Sequence, residues 1–444
     1  MRKLLAILLC KLGKKLGSYI GKGSSMPGKI ALKVCPDILS RIELPDITIA
    51  VSGSNGKTST VEMIHGVLEK AGYSVAYNFE GSNQIEGVAT VILNNCDNKG
   101  RFQKDALLME VDERYAKYIF RYFTPKYFVI NNLYRDQLTR NGSPEFVLRE
   151  IEKGIVPGSM LVLNADDPLV SSLSYRHDNE TCFFGINDNQ YVREECDSVY
   201  DDGYYCPVCK SKMVYDYHQF AHVGKYKCSK CSFERKNPDY YISDIDLENG
   251  EIRINKKYRL SLAFNTIFNA YNVLASFAMG SLLGIDSKIL VNTLSEYLIK
   301  NGRIKQFTAG KEKGTLLISK HENSISYNRN LEYIANYDGD VSLMLIIDDI
   351  SRKYFTSDTS WLWDISFEML NSENIKQIIV AGKYINDVAT RLEYAGVDMS
   401  KVILRKNVDA AVAYLRFKSA ADNLFAMTCF SDEGKFIREV EAEA

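Results

Sequence analysis

Six consecutive residues combine the residue types that could bind phosphate groups: Gly53, Ser54, Asn55, Gly56, Lys57 and Thr58. Glycines let backbone N–H groups approach phosphate oxygens, and the N-terminus of a following helix adds a favourable dipole. Lys57 would supply a positive charge to the β- and γ-phosphates of a nucleotide, and the Thr58 hydroxyl can ligate Mg²⁺. The spacing departs from the common G-x-x-x-x-G-K-[ST] pattern, because position 51 is Val rather than Gly. We predict a nucleotide-binding loop, and the alternative is an ordinary surface loop.

A carboxylate stands near the end of another apolar run, ALLMEV (106–111). If this run is a strand beside the one that precedes the loop, Glu110 lies at its carboxyl end, where it would face the triphosphate. A carboxylate in that position can hold Mg²⁺ together with the Thr58 hydroxyl. We therefore predict that Lys57 and Glu110 take part in catalysis. The alternative for Glu110 is a solvated strand end.

Four of the ten cysteines form two C-x-x-C pairs with 18 residues between them: Cys206 and Cys209, then Cys228 and Cys231. This spacing is typical of a zinc ribbon in which four thiolates close a tetrahedron, so the site would be structural. Two local disulfides or a coincidence of spacing are the alternatives. The aromatic residues nearby would cover a small core around the metal, although such rings can also stack on nucleic-acid bases. We expect the module to be an insertion with a local stabilising role.

The rest of the pattern alternates strand and helix, which indicates a doubly wound α/β sheet. ITIAVSG (47–53) is an apolar, β-branched run that ends in glycine, as a buried parallel strand does. The helix after the loop has apolar residues at helical spacing, and FNAYNVLASFAMGSLLG (268–284) is a second strong helix. Further strands are predicted along the chain: ALLMEV (106–111), YFVINNL (127–133), MLVLNA (160–165), VSLMLII (341–347), QIIVAG (377–382), KVILR (401–405) and NLFAMTC (423–429).

A chain of 444 residues is too long for one ordinary core. We predict an N-terminal helical segment (1–45), a central ATP-binding domain (46–310) and a C-terminal domain (311–444), with the cysteine module inserted at about 200–236. The 55 Lys and Arg against 56 Asp and Glu give a net charge of −1, which offers no support for nucleic-acid binding. The scattered positions of the other six cysteines fit a reducing cytosol better than a disulfide framework.

The N-terminal stretch, MRKLLAILLCKLGKKLG, is basic and amphipathic. Its apolar run is short and is followed by lysines rather than by a small-residue cleavage site, so we do not predict a signal peptide. The run is also far shorter than the ~20 residues of a membrane span. Two interpretations remain open: a helix packed on its own domain, or a helix in peripheral contact with the inner membrane face. We expect a cytoplasmic protein, which in the second case works at the membrane surface.

Several motifs occur together in one known family. GSNGKT after a strand, LNADDP (163–168), FNAYN (268–272), NGR (301–303) and a Rossmann-like C-terminal domain resemble the Mur ligases over nearly the whole chain. The inserted CPVC…CSKC ribbon and SDTSWLWD (357–364) narrow the resemblance to the MurT family, the ligase-like subunits of the lipid II isoglutaminyl synthases of Gram-positive bacteria. The expected Mur-ligase architecture is a P-loop central domain carrying a Cys₄ zinc ribbon, followed by a Rossmann-like C-terminal domain.

The resemblance implies a reaction and its participants. MurT subunits use ATP and Mg²⁺ to amidate the α-carboxyl of D-glutamate in the lipid II stem peptide, and they pair with a GatD-type glutaminase subunit. The resemblance implies adenine contacts for Asn272 and Asn269, and further nucleotide contacts for Arg303 and Asp349. It also maps the acidic residue of a D-x-S-W motif onto Asp358, as the third member of the glutaminase Cys–His pair. The alternative is that this carboxylate caps a helical turn.

The sequence departs from the family pattern before the S-W pair. The family has a Gly-rich, acidic stretch there, whereas this chain reads DDISRKYFTSD (348–358). The departure weakens the assignment of Asp349 relative to that of Asp358. In addition, we match no residue to the carbamylated lysine of many amino-acid-adding Mur ligases.

The chain shows no ammonia-producing motif of its own. Glutaminases of the relevant class use a cysteine on a sharp strand–turn–helix elbow, and none of the six unpaired cysteines has that setting. Ammonia in solution at neutral pH is mostly protonated to ammonium, which is not a nucleophile. We therefore expect a separate glutaminase subunit as the source of ammonia. The alternatives are an amino-acid ligase similar to Mur or folylpolyglutamate synthetases, and an NTPase that binds nucleic acid through its zinc ribbon.

Overall fold

The computed structural model describes residues 1–18, 23–78, 82–263, 265–297, 304–309, 312–350 and 357–442. The chain forms two compact units. The first unit comprises Met1–Tyr134, Pro144–Asp197 and Asp201–Ile299. The second unit comprises Arg135–Ser143, Ser198–Tyr200 and Lys300–Ala444.

Strands and helices alternate along most of the chain. The strands are β1 (Ile47–Ser52), β2 (Val75–Tyr77), β3 (Ala106–Glu110), β4 (Tyr127–Ile130), β5 (Met160–Asn164), β6 (Thr181–Ile186), β7 (Met213–Phe220), β8 (Val223–Cys228), β9 (Tyr240–Asp246), β10 (Glu251–Ile254), β11 (Tyr258–Ser261), β12 (Ile304–Ala309), β13 (Glu312–Ser319), β14 (Val341–Ile346), β15 (Ile375–Ala381), β16 (Val402–Arg405) and β17 (Asn423–Cys429). The α-helices are α1 (Arg2–Ser18), α2 (Met26–Val34), α3 (Lys57–Lys70), α4 (Ile85–Asn94), α5 (Ala116–Ile119), α6 (Leu138–Asn141), α7 (Pro144–Glu152), α8 (Pro168–Ser171), α9 (Ile267–Leu282), α10 (Ser287–Ser295), α11 (Ser324–Ala335), α12 (Ile385–Tyr394), α13 (Val408–Lys418) and α14 (Phe430–Ala442). Short 3₁₀ turns lie at Ile38–Arg41, Ser172–Tyr175, Ser360–Asp364, Phe367–Asn371 and Met399–Lys401.

The first unit is built on a nine-stranded sheet of order β11-β10-β9-β6-β5-β4-β1-β3-β2. β1 pairs in parallel with β3 and β4, and Val51 is in register with both Glu110 and Val129. The carboxyl ends of these three neighbouring strands therefore lie side by side at one end of the sheet. β1 is buried along nearly its whole length, which explains its continuous apolar, β-branched sequence. In an open α/β sheet, a ligand is expected at the carboxyl ends of the strands.

Helices cover both faces of this sheet. α3, α9 and α10 pack together, and α3 and α9 also contact the sheet. On the other face, side chains such as Ala50, Leu107 and Phe128 join one apolar cluster with residues of α1, α2 and α4. The predicted doubly wound α/β arrangement is confirmed for this unit.

The N-terminal segment contains two helices, α1 and α2, and packs on the rest of the first unit. α1 contacts α2 and α4, and its residues Ala6, Ile7 and Cys10 are buried. One side of α1 therefore packs on neighbouring helices of the same unit. Among the residues that the structure describes, no helix is both long enough and apolar enough to cross a membrane.

The paired cysteines lie in an insertion, as predicted. β6 and β9 are parallel neighbours in the main sheet, with Phe184 opposite Tyr240, and the intervening chain forms the separate antiparallel hairpin β7–β8. A small core of its own includes Cys206, Met213, Tyr226 and Phe233. The aromatic side chains thus do cover a core next to the cysteines.

The second unit contains a six-stranded sheet of order β12-β13-β17-β14-β15-β16. β12 is antiparallel to β13, and the other pairs are parallel. One apolar cluster lies beneath α11 and α12 on one face, and another lies beneath α13 and α14 on the opposite face. The second unit is therefore also a layered α/β structure.

Candidate functional site

The loop between β1 and α3 has the backbone conformation that its glycines predict. Gly53 has a φ of +132° and Gly56 has a φ of +81°, and residues with a Cβ rarely adopt these angles. A Cβ on Gly56 would lie 2.1 Å from Oδ1 of Asn272. Glycine is therefore required both for the turn and for the close approach of α9. The structure brings the loop and the FNAYN motif together, although they are more than 200 residues apart in sequence.

The Lys57 side chain folds back over the loop. Its Nζ donates hydrogen bonds to the Gly53 carbonyl oxygen and to Oε1 of Glu113, the latter at 2.6 Å. The side chains of Lys57 and Glu113 are 10% and 5% exposed. A buried charge needs a partner, and removing one member of such a pair costs ~3–5 kcal/mol. Glu113 thus holds the lysine beside the place where phosphate would bind.

Sequence reasoning missed Glu113. It follows Glu110 by three residues in the segment EVDE (110–113), so the signal was a second acidic residue after the same strand. Both glutamates are buried, which is unusual for glutamate outside a pair or a site.

Thr58 and Glu110 meet as predicted. The Thr58 hydroxyl donates to Oε2 of Glu110 at 2.8 Å, and Nδ2 of Asn83 donates to Oε1 at 3.1 Å. The backbone of Glu110 is fixed on both sides by the Asn78 side chain. A hydroxyl oxygen and a carboxylate at the loop are hard oxygen ligands, the type that Mg²⁺ prefers. The donor set therefore fits this metal.

A second side chain that sequence reasoning missed clamps the loop. Oδ1 of Asn132 accepts the Asn55 N–H at 2.8 Å, and Nδ2 of Asn132 donates to the Asn55 carbonyl at 3.1 Å. The Ser54 N–H donates to the carbonyl of Asn132 at 2.9 Å. Asn132 is the second residue after β4. The available sequence signal was the pair of asparagines, Asn131 and Asn132, at the end of this strand. The clamp fixes the loop backbone in shape before any ligand binds.

Helix α9 supplies two amide side chains near this loop. Thr266 caps the helix by accepting the Asn269 N–H at 3.3 Å. Asn269 is 5% exposed, and within the described part of the chain its Nδ2 has no hydrogen-bond partner. A buried donor without a partner is costly, so this position suits a bound acceptor. Asn272 lies one turn further along, against Gly56.

The four cysteines converge. Their sulfur atoms all lie within 4.8 Å of one another, with Cys206 3.7 Å from Cys231 and Cys209 3.4 Å from Cys228. Ligands at tetrahedral corners 2.3 Å from zinc are ~3.8 Å apart. None of the four is in a disulfide. The thiol set therefore fits a tetrahedral metal and argues against the two local disulfides.

The cysteine module is anchored on the LNADDP motif. Arg235 Nε lies 2.5 Å from Oδ1 of Asp166, and the Tyr271 hydroxyl donates to the other oxygen of that carboxylate at 2.6 Å. The Tyr226 hydroxyl donates to the carbonyl of Ala165 at 3.0 Å. Asp166 is fully buried, so it ties the module to α9 with little competition from water.

The tip of the β7–β8 hairpin reaches the residues around the loop. The ring centroid of Phe220 lies 4.1 Å from that of Phe268 and 5.8 Å from that of Tyr134. The Tyr134 N–H donates to the Ser54 hydroxyl at 2.9 Å. His222, also at the tip, has its Nε2 3.7 Å from Oδ1 of Asp167. We expected a purely local role for the module, but its hairpin supports the first turn of α9 and the loop.

Asp349 lies in an acidic cluster of the second unit. Its N–H donates to the Asp432 carboxylate at 3.0 Å, and its Oδ1 is 3.4 Å from Nζ of Lys383. Burial raises the pKa of Asp432 to about 6, and the two neighbouring carboxylates of Asp348 and Asp349 add to this effect. Arg303, the other residue with an implied nucleotide contact in this part of the chain, lies outside the described residues.

Asp358 is exposed and lies just before the 3₁₀ turn Ser360–Asp364. Its Oδ1 accepts the Ser360 N–H at 2.9 Å. The N-cap position of this turn is Thr359, so Asp358 contacts the turn from one residue before the cap. Hydrogen bonds from the Ser360 side chain and from the Ser360 N–H lower the pKa of the Asp358 carboxyl, so the group is ionised near neutral pH. The local hydrogen bond leaves the carboxylate accessible from solvent.

Comparison with known proteins places the chain in a family. Residues 51–280 match the Mur ligase middle domain, and residues 321–431 match the MurT ligase C-terminal domain. The chain is 31% identical over 423 residues to the MurT subunit of lipid II isoglutaminyl synthase (glutamine-hydrolyzing) of Staphylococcus aureus strain COL, and the match covers 94% of each chain. The chain belongs to the MurT family. The MurT subunit of Streptococcus pneumoniae is 29% identical over 401 residues, covering 88% of this chain and 87% of that one.

Solved structures support the fold of this MurT family member. A pseudomurein peptide ligase type C from Methanothermus fervidus superposes with a TM-score of 0.67 at 19% identity, covering 92% of this chain and 81% of that one. MurF ligase from Thermotoga maritima in complex with ADP gives a TM-score of 0.57 at 15% identity, covering 94% and 85%. The Mur-ligase α/β fold predicted from the sequence is confirmed.

Proposed function

We propose that this chain is the ATP-using subunit of a lipid II isoglutaminyl synthase. It would convert the α-carboxyl of D-glutamate in the stem peptide to an amide, giving D-isoglutamine, with ammonia supplied by a glutaminase subunit. The names of its MurT relatives state the synthase and its glutamine hydrolysis. The observation that carries the proposal is the arrangement of Lys57, Thr58 and Glu110 around a preformed loop.

The reaction requires activation of a carboxylate, because hydroxide is a poor leaving group. The carboxylate oxygen would attack the γ-phosphorus of ATP, releasing ADP and forming an acyl phosphate. Ammonia would then attack the acyl carbon, and phosphate would leave with the electron pair of the broken C–O bond. One proton of the attacking nitrogen goes to solvent. ATP is consumed once for each amide formed.

The residues of the loop would act on the phosphoryl group. The loop N–H groups and Lys57 stabilise charge on the phosphate oxygens as it is transferred. When nucleotide binds, we expect Lys57 to shift its contact from Glu113 to the phosphates. Thr58 and Glu110 would hold Mg²⁺, which neutralises charge on the β- and γ-phosphates when it is bound.

We also propose a structural identity for each part of the chain. The segment 53–58 is a P-loop, the insertion at about 200–236 is a Cys₄ zinc ribbon, and the C-terminal part is Rossmann-like. We keep the division into 1–45, 46–310 and 311–444 as the domain proposal. The support is the sheet topology and the convergence of the four thiols.

Nucleotide contacts are proposed for four further residues. Asn269 and Asn272 would contact adenine, and the buried, unpartnered amide of Asn269 within the described residues supports the first of these. Roles for Arg303 and Asp349 rest on the family resemblance alone. Substituting each residue and measuring the dissociation constant of ADP would test these assignments one at a time.

We propose that the partner is a GatD-type glutaminase and that Asp358 serves its catalytic centre. An ionised carboxylate at the surface can orient the imidazole of a Cys–His pair that another subunit supplies. The exposure of Asp358 and the lowered pKa of its carboxyl support this role. Because lipid II is carried in the membrane, we also propose a peripheral contact of this cytoplasmic chain with the inner membrane face.

The test is a choice of nucleophile. The purified chain is given ATP, Mg²⁺ and a stem peptide that contains D-glutamate with a free α-carboxyl, with either ammonium chloride or a panel of amino acids. The proposal expects ADP and a peptide whose α-carboxyl hydroxyl has been replaced by an amino group. Addition of a whole amino-acid residue would instead support the amino-acid ligase alternative and reject the amidation.

A further inference from the structure

The first helix turns large apolar side chains towards solvent. Leu8, Leu12 and Leu16 are 45%, 54% and 59% exposed. They follow one another at a spacing of four, so they form one continuous stripe along α1. Leu4 and Leu5 extend the stripe by a further turn and are also exposed. We call these five leucines the leucine face.

The opposite side of α1 combines one large apolar side chain with small residues. Ile7, Ala6, Cys10 and Gly17 are buried, and a Cβ on Gly13 would lie 3.4 Å from Pro27 of α2. Nδ2 of Asn94 on α4 reaches the Cys10 sulfur at 3.6 Å. These small residues let α1 lie close to the protein body. Five leucines of α1 nevertheless remain exposed, whereas an ordinary surface helix turns its apolar side chains to the core.

The segment that carries the leucine face has charged side chains of one sign. The first 36 residues contain eight lysines and arginines and no aspartate or glutamate. Arg2 and Lys15 are exposed on α1 itself. An exposed apolar stripe with a basic border is the pattern of a helix that lies in the interface of an anionic bilayer.

We propose that the leucine face is a docking surface for an anionic phospholipid bilayer. The leucines would enter the boundary between head groups and acyl chains, and the basic residues would contact lipid phosphates. Since the other side of α1 is packed on α2 and α4, only this face is available to lipid. A second copy of the chain would bring two basic surfaces together, so the charge favours lipid over self-association.

This inference deepens the proposed function and rests on it for its purpose. A substrate anchored in the membrane by a lipid tail is confined to a thin layer. An enzyme held at the same surface meets it at a higher local concentration than an enzyme in bulk solution. The leucine face would keep this chain in that layer without taking part in the chemistry.

The experiment is vesicle co-sedimentation of the full-length chain. The probes are vesicles of phosphatidylcholine with phosphatidylglycerol, and vesicles of phosphatidylcholine alone. The Leu8→Glu, Leu12→Glu double variant should lose binding to the anionic vesicles by roughly tenfold or more. Lys15→Glu should weaken binding to the anionic vesicles only. The matched control is Phe417→Glu on α13, which removes an apolar side chain that is 77% exposed elsewhere and should bind as the wild type does.

Several outcomes would overturn the proposal. Equal vesicle binding by the double variant and the wild type would reject it, as would a wild type that binds neither vesicle. If the double variant instead loses the glutaminase on co-purification, or breaks a dimer seen by analytical ultracentrifugation, the face belongs to a protein partner. Thermal melting checks that both glutamate variants are folded, and the milder Leu8→Ser, Leu12→Ser pair repeats the test with uncharged groups.

An amidation assay with a soluble substrate distinguishes a failure of this inference from a failure of the proposed function. The leucine variants should amidate a water-soluble stem peptide without a lipid tail at the wild-type rate. Absence of amidation by the wild type itself would remove the proposed function and leave the vesicle result to decide the leucine face. Loss of activity on the soluble peptide only in the leucine variants would show a role in the reaction and contradict a docking surface.

Discussion

The packing of the cysteine module beside the loop 53–58 gives a quantitative prediction for Phe220→Ala. Phe220 is 6% exposed at the tip of the β7–β8 hairpin. Its ring lies against Phe268 on α9 at 4.1 Å and against Tyr134, whose backbone is bonded to Ser54 of the loop. Removing the ring leaves the first turn of α9 and this part of the loop without their shared support.

The magnitude follows from the burial. Deleting a buried phenyl ring costs ~3–5 kcal/mol of the free energy of unfolding. Each kcal/mol lowers the melting temperature of a large domain by about 2–4 °C, so the variant should melt ~10 °C below the wild type. A shifted α9 would also misplace the Asn269 amide, and the loss of one such polar contact, ~1.4 kcal/mol, raises the dissociation constant about tenfold.

The assay is titration calorimetry of Mg²⁺–ADP at a temperature well below the melting point of the variant. Metal analysis of the same sample should show unchanged zinc, because Phe220 is not a ligand. Phe417→Ala, at a side chain that is 77% exposed, is the control and should change neither quantity. A lower melting temperature with an unchanged dissociation constant would refute the link between the module and the nucleotide site.

Four other predictions concern separate parts of the molecule. Lys57→Ala should abolish ATP-dependent amidation and, by leaving Glu113 without its cation, should cost ~3 kcal/mol of stability; normal turnover would remove the nucleotide assignment. Cys206→Ser should lower both zinc content and melting temperature, since structural zinc contributes on the order of 10 kcal/mol in small zinc peptides, and an unchelated wild-type sample without zinc would overturn the ribbon. Asp358→Asn should lose glutamine-driven amidation in the complex while keeping ADP binding and part of the ammonia-driven rate; unchanged glutaminase turnover would leave only the local hydrogen bond with Ser360. Burial lowers the pKa of His222, but the Asp167 carboxylate outweighs it and the net pKa is raised, so the stability this pair contributes is complete below about pH 6.5 and is lost as pH rises through the folded pKa. His222→Phe should flatten that part of the curve of melting temperature against pH, and an identical slope in both proteins would contradict the pairing.

The sequence predicted the buried strands well because they are continuous apolar runs. The prediction NLFAMTC (423–429) coincides with β17, and VSLMLII (341–347) and KVILR (401–405) differ from β14 and β16 by one residue. Such runs are typical of a parallel sheet covered on both faces, as β14 and β17 are, so composition and length are enough to find them. β16 was found in the same way, although it is only partly buried at the end of its sheet. The prediction YFVINNL (127–133) was too long, since β4 ends at Ile130. Of the two asparagines that follow, Asn132 clamps the loop and Asn131 donates to Thr60 of α3.

The three strands on one side of the first sheet could not be predicted from the sequence in the same way. β9, β10 and β11 are antiparallel to one another and partly exposed, so they carry no continuous apolar run, and β10 and β11 have only four residues each. Their place beside β6 depends on pairing across the whole cysteine insertion. Only the folded chain shows that the sheet continues past the insertion.

In the candidate site, too, the residues of local sequence motifs were predicted, and the residues that depend on contacts between distant segments were missed. Motif chemistry predicted that Thr58 and Glu110 hold the same Mg²⁺, and the structure places their side chains within hydrogen-bond distance. Both residues belong to short local patterns, one at the start of a helix and one at the end of a strand. Glu113 and Asn132 were missed, since their roles depend on distances across strands rather than on spacing along the chain. The placement of the hairpin tip against α9 was missed for the same reason. Cysteine spacing identifies a ligand set but not the surface on which the module packs.

The central claim is that this chain activates a carboxylate with ATP and forms an amide from it. The most direct measurement uses a stem peptide whose D-glutamate α-carboxylate carries isotopically heavy oxygen, with ATP, Mg²⁺ and ammonium chloride. Mass spectrometry then follows both the peptide and the released phosphate. The account predicts one heavy oxygen atom transferred to phosphate for every amide formed. An amide that forms while the phosphate contains only light oxygen would contradict it.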